Sequence, residues 1–338
     1  EPLEAYFIDG IHEDILNNLA RIPSLRVKSR ASTTQYRDQQ SGNIKQLGME
    51  LGVAKVLTGS IRSDRDNFRI SVQLIDALSE SILWTETYNR ESNEILSVQF
   101  EIARSIAEVL NMKVDQENLS APSPGLIDIS AYDLVLQARS ILRDYQGRKD
   151  NERLISILQH AIEIENYYAP AYALLGAALY KEIHYGASPE IWKDSALTCI
   201  DKALALDPRL PVALSMKSII YDNPLVARSE EALALRARAL EASPSNSADM
   251  YQLGWKLFWN TDQTEKAVNL ILESIKLDWN LKDPKFYCNL ASIYQTFIDY
   301  DNALQYYSKA LILNPDHLLA LNRTNLLLYY LGEYEKAI

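Results

Sequence analysis

Cysteine is nearly absent from this chain, with Cys199 and Cys288 the two in 338 residues. Each reads as a small buried apolar residue, and so few fix neither a disulfide pairing nor a redox compartment. Histidine is scarce too. The four, His12, His160, His184 and His317, form no recognisable ligand set. A helical zinc site would need a second histidine four residues after His12, where Leu16 stands. His184 reads as a solvated loop side chain, with a binding role as the alternative. No Gly-x-Ser-x-Gly elbow, phosphate loop or Gly-rich dinucleotide fingerprint occurs. The chain is therefore expected to catalyse nothing and to need no cofactor and no metal. Basic residues are outnumbered, 34 against 45, for a net charge of −11. With no stripe of Lys and Arg, nonspecific nucleic-acid binding is disfavoured. No apolar run reaches the roughly 18 residues of a membrane span. Glu1 opens no signal-peptide pattern. Any membrane anchor is thus expected outside these residues, and oligomeric state is left open.

What the chain does have is a repeat. The run Asp283-Pro284-Lys285-Phe286-Tyr287-Cys288-Asn289-Leu290-Ala291-Ser292-Ile293-Tyr294 is followed by Ala303, Tyr307, Ala310 and Pro315. These types at these offsets resemble the tetratricopeptide (TPR) repeat, a helix-turn-helix of about 34 residues. The next unit keeps the register with Leu321, Asn325, Leu328 and Ala337. Reading backward, Gly254, Leu257, Ala267, Ile271 and Ser274 mark one unit, with Trp279 where proline is expected. Leu214, Ser218, Tyr221, Ala232, Arg236, Ala239 and Pro244 mark another. Gly176, Leu179, Ala196, Ile200, Ala203 and Pro208 mark a third, with Tyr185 to Trp192 as an insertion. Leu134, Ala138, Ile141, Leu154, Leu158 and Ala161 give the earliest, for five full units and one truncated over 131–338. Small residues such as Gly176, Gly254 and Ala291 let paired helices approach, while Pro208, Pro244 and Pro315 end one helix and set up the next. Each unit covers its apolar face only against neighbours, which leaves a concave surface suited to binding.

Residues 1–114 lack this register and read as an α+β two-layer sandwich. Asp9 or Gly10 starts a helix that ends at Ala20, where Glu13 and Asp14 are favourable charges near its N-terminus. Leu25 to Ser29 reads as a strand and Asn43 to Leu51 as a helix closed at Gly52. Val53–Arg62, Phe68–Asp76 and Ile82–Tyr88 read as an antiparallel meander with Ser63 to Asn67 as its first turn. In its middle strand Phe68, Ile70, Val72 and Leu74 alternate with Arg69, Ser71, Gln73 and Ile75. Gly59 within a strand marks a bulge or a close approach, read as packing against the helix above, with small-molecule binding there as the lesser alternative. A helix from Asn93 to Asn111 covers the sheet with Ile95, Val98, Ile102, Ile106 and Val109. The polar, Pro-rich segment 115–130 reads as a linker to the all-α TPR solenoid.

The motifs Phe7-Ile8-Asp9-Gly10-Ile11, Leu25-Arg26-Val27, Leu51-Gly52-Val53, Val56 to Arg62, Val72 to Asp76 and Leu83-Trp84-Thr85-Glu86 resemble the TolB amino-terminal-like domain. That resemblance implies a bacterial regulator, in which such a domain precedes TPR arrays and follows a class III adenylate/guanylate cyclase or a winged-helix domain. It also implies that both ends here are cut, and that the residues lie on the periplasmic side of a membrane-anchored protein, with cytoplasm as the alternative.

The TPR resemblance places groove positions on the first helix of each unit: Tyr251, Trp255, Phe258 and Trp259, then Cys288, Ser292 and Gln295, then Asn322, Leu326 and Tyr329. The Lys/Asn pattern that clamps a peptide carboxylate is missing there, which leaves an apolar, aromatic groove for a protein or peptide partner. Trp255 and Phe258 fit equally as core between units. The leading expectation is a non-catalytic sensory or scaffolding fragment. The alternatives are the regulatory part of a nucleotide cyclase, or a small-ligand receptor using the α/β domain.

Overall fold

A computed structural model describes residues 5–36, 43–64, 67–112, 127–186, 188–224, 226–277 and 283–334. Expectations at the Arg65-Asp66 turn, most of the 115–130 linker, Trp279 and Ala337 fall outside the described residues.

The front of the chain runs α1 (Ala5–Ala20), α2 (Arg30–Thr33), α3 (Ile44–Leu51), β1 (Lys55–Asp64), β2 (Asn67–Asp76), β3 (Ile82–Glu91) and α4 (Ile95–Val109). The strands form one antiparallel sheet in the order β1-β2-β3. Because side chains alternate along a strand, Phe68, Ile70, Val72 and Leu74 of β2 share one face. They are buried with Ile11, Ile15 and Leu19 of α1 and Val98, Ile102 and Ile106 of α4. This is a small sheet with helices on one face.

Among the described residues eleven α-helices follow: α5 (Ile129–Arg143), α6 (Arg148–Ile164), α7 (Ala169–Lys181), α8 (Pro189–Leu206), α9 (Pro211–Asp222), α10 (Ser229–Ala242), α11 (Ser247–Asn260), α12 (Thr264–Leu277), α13 (Pro284–Thr296), α14 (Tyr300–Leu313) and α15 (Leu318–Tyr330). Proline stands in the first turn of α7, α8, α9 and α13, where its missing N–H has no helical partner to lose. Pairs such as α5 with α6, α7 with α8 and α13 with α14 are packed hairpins. Fully buried Ala196, Ala203, Ala303 and Ala310 sit at their contacts. The chain divides into two compact units, 1–249 and 250–338, within α11. Each is described by itself below.

Within the first unit, composition and packing disagree. The change from sandwich to helices does fall between α4 and α5, but one core passes through it, joining Ile11, Val98 and Ile102 to Tyr132, Val135, Leu136, Leu154 and Ala171. A polar seam reinforces that core. The hydroxyl of Tyr132 donates to Asp14 at 2.7 Å, Arg139 pairs with the same carboxylate, and Arg143 reaches Glu13 at 3.2 Å. Glu13 and Asp14 are therefore not N-terminal charges: α1 begins at Ala5, and both face α5. Gly10 lies inside α1 because a Cβ there would come within 2.5 Å of Leu136.

Three further expectations are corrected. Leu25–Ser29 takes no regular secondary structure and joins no ladder among the described residues. Its backbone is held by Ser245, whose hydroxyl donates to Leu25 O at 2.8 Å and accepts from Val27 N–H at 3.3 Å. Of the two readings of Gly59, the bulge is absent, since β1 pairs with β2 without interruption, and the close approach holds, against β2 rather than a helix: a Cβ on it would lie 2.7 Å from the carbonyl oxygen of Ser71. The register shift falls at Leu74/Ile75 against β3 instead. Trp192, placed in an insertion, is a core residue of α8 with its ring edge-on to Tyr180 at 5.1 Å.

Candidate peptide-binding surface

In the second unit, a hairpin contact fixes which helix face is left for a partner. Gly254 on α11 meets α12 so closely that a Cβ would lie 2.7 Å from Ala267 O and 2.8 Å from Ile271. Ala291 on α13 is fully buried beside Ala303 and Tyr307 of α14. With those faces occupied, the expected groove residues separate into three groups.

Tyr251, Cys288, Ser292 and Gln295 serve the fold. Tyr251 is 6% exposed; its ring packs edge-on against Phe286 at 4.4 Å and its hydroxyl accepts from Asn289. It fills the gap between α11 and α13, and burial raises its phenol pKa. The hydroxyl of Tyr307 lies 3.1 Å from the Ser292 hydroxyl and donates to Gln295 at 3.1 Å, which binds both residues to their own hairpin. Cys288 is fully buried, and desolvation with the nearby Asp283 charge pushes its thiol up to about 11. Its sulfur lies 3.5 Å from Nδ1 of His317, but that nitrogen also accepts the Ala320 N–H as the cap of α15. A capping nitrogen makes a poor general base, and a thiol held protonated makes a poor nucleophile.

Trp255, Phe258 and Trp259 form an aromatic cluster instead. Trp255 and Phe258 are half-buried against the α11–α13 core, whereas Trp259 is 60% exposed. Phe258 contacts Trp259 at 5.0 Å and Phe297, at the end of α13, at 6.1 Å. Phe297 and Ile298 were not expected in the site. Both are exposed, and Ile298 holds a φ of 61°, a conformation that β-branched residues rarely adopt. Their sequence signal was two large apolar residues just past a helix end, ahead of the Asp299 cap. The third group, Asn322, Leu326 and Tyr329, is exposed along one stripe of α15, with Tyr329 edge-on to Tyr334 at 5.2 Å.

No cluster of His, Cys, Asp and Glu suited to a metal occurs among the described residues, and no described helix is long and apolar enough to cross a membrane.

Residues 284–317, the α13–α14 hairpin and the turn after it, match the family model of the tetratricopeptide repeat, and the other hairpins share its helix-turn-helix form. Residues 4–106 match the second domain of HilA/YgeH-like transcriptional regulators, so the likeness found for the front sandwich is to that domain rather than to the TolB amino-terminal-like one expected. A protein of Rhizobium meliloti (strain 1021) named adenylate cyclase 3 is 34% identical over 176 residues, 52% of this chain and 30% of that protein. Among solved structures, one from work on pilF of Pseudomonas aeruginosa is 21% identical, covering 62% of this chain and 87% of its own, at a TM-score of 0.48. YrrB, described as a TPR protein with an unusual peptide-binding site, is 20% identical over 57% of this chain and 91% of its own, at 0.40. A thermophilic TPR protein of Thermus thermophilus is 18% identical over 59% and 99%, at 0.42. The repeat assignment rests on the 284–317 match and the hairpins themselves.

Proposed function

We propose that this chain is a non-catalytic binding part of a bacterial signalling protein, and that its second unit takes an apolar segment of a protein partner. The observation that carries this reading is the ridge in which exposed Trp259, Phe297 and Ile298 stand in water around the half-buried ring of Phe258, with no covering element among the described residues. Aromatic anchors combine large contact area with few rotors to freeze, which suits them to binding hot spots. The strained Ile298 backbone supports the same reading, because such strain is retained where it places side chains for use. Panning a displayed peptide library against the full chain tests it. Selected peptides should carry apolar or aromatic anchors, and Trp259→Ala or Phe297→Ala should each weaken them by about 2 kcal/mol. Peptides that bind both variants at full strength would place recognition elsewhere.

A second reading is favoured by the likeness to the Rhizobium meliloti protein: the chain is the regulatory part of a nucleotide cyclase, with catalysis outside these residues. Within either reading, the front sandwich is a regulatory-protein module, a reading supported by the likeness of residues 4–106 to the second domain of HilA/YgeH-like transcriptional regulators. A periplasmic position behind a membrane anchor belongs to the same proposal, with cytoplasm as its rival. Protease accessibility in spheroplasts against intact cells separates the two.

A further inference from the structure

The uncovered face of the sheet has a chemistry that the peptide-binding reading does not use. Strand register sets three rows across it: Thr58–Gln73–Thr85, Ser60–Ser71–Thr87 and Arg62–Arg69–Asn89. These rows hold hydroxyls, amides and two guanidinium groups, and no carboxylate. Arg62 and Arg69 are directly opposed across the β1–β2 ladder and exposed, and neither makes an ion pair among the described residues. Like charges facing each other on a sheet destabilise it, and this pair persists in a chain whose net charge is −11. Beyond these rows stands Glu91 at the end of β3, whose side chain is engaged in capping the turn Ser92–Glu94.

Ser60, Arg62, Arg69 and Ser71 line a cavity of about 220 Å³, and the Ser71 hydroxyl is linked to that of Thr87 at 3.0 Å. We propose that this cavity binds a small soluble phosphate compound, inorganic phosphate or a phosphate monoester. A dianion between the arginines replaces their repulsion with two charge-assisted contacts, and arginine's planar fork matches phosphate oxygens two at a time. The neighbouring serines supply further donors. Two arginines make a narrow footprint. A nucleic acid or an anionic membrane draws on several basic groups at once, which this face lacks among the described residues.

Titration calorimetry of the full chain with inorganic phosphate, and separately with pyrophosphate, at constant ionic strength tests the proposal. Saturable one-to-one binding is expected, weakened roughly tenfold or more in the R62Q/R69Q double variant. R62K/R69K, which keeps the charge but loses the fork, is expected to fall between. Removing the opposed charges should leave the R62Q/R69Q melting temperature unchanged or higher, so that lost binding is not lost folding. Absence of binding by both anions, or equal affinity in R62Q/R69Q, overturns the proposal. So does a result in which a single-stranded oligonucleotide or phosphatidylglycerol vesicles bind through the two arginines while free phosphate and pyrophosphate do not.

Discussion

Tyr251 and Trp259 sit two helical turns apart on α11 and do opposite work. Tyr251 closes the space between α11 and α13, so Tyr251→Ala opens a cavity and is expected to cost about 3 kcal/mol or more in denaturant unfolding. Trp259 is largely exposed, and Trp259→Ala should leave that transition within about 0.5 kcal/mol. Both fall on groove positions of the repeat, and sequence alone does not separate them, because the burial of Tyr251 depends on Phe286 and Asn289 reaching it from α13. Tyr132 gives a pH dependence. Burial, and then the Asp14 carboxylate that its hydroxyl meets, hold its phenol well above the usual 10. The unfolded chain releases this proton first, so the stability present below pH 10 is lost as pH rises toward the folded value. Stability measured against pH should therefore fall above about pH 10, and Tyr132→Phe should make that fall less steep.

Elements were most legible where local chemistry decides them. The alternation in β2, the stripe on α4 and the Pro- and Ala-marked hairpins follow from periods and offsets that the chain carries within a few residues. Leu25–Ser29 was not legible in this way, since the hydroxyl that holds it belongs to Ser245, in the turn between α10 and α11. Gly10 misled for a related reason: it reads as a helix start, yet it serves contact with Leu136 on α5. The hairpin contacts give a direct test. Gly254→Leu and Ala291→Leu each force a side chain into a filled space and should cost about 1 to 3 kcal/mol, read from thermal unfolding. In the first unit, Arg236 and Asp249 form a buried ion pair at 2.6 Å, and Ser215 donates to the same carboxylate at 2.8 Å. Asp249→Ala strands the guanidinium and should cost about 3 to 5 kcal/mol, more than an apolar replacement of both partners.

At the scale of the molecule, the Pro-rich segment 115–130 marks a change of secondary structure without marking a compact unit. Packing carries one core from the sandwich into α5, α6 and α7, where Tyr132 and Arg139 meet α1. That extent was illegible because the charges that make the seam, Glu13 and Asp14 with Arg139 and Arg143, stand more than a hundred residues apart. The pure chain is expected to turn over neither ATP nor GTP, since the Cys288 thiol beside His317 is buried and held protonated; turnover abolished by a point change within it would contradict this. The central claim is that the aromatic ridge of the second unit receives a partner segment. Hydrogen exchange of the full chain with and without a panned peptide tests it most directly. Protection is expected at the ends of α11 and α13, around Trp255 to Asn260 and Tyr294 to Ile298, and protection confined to the front sandwich would contradict it.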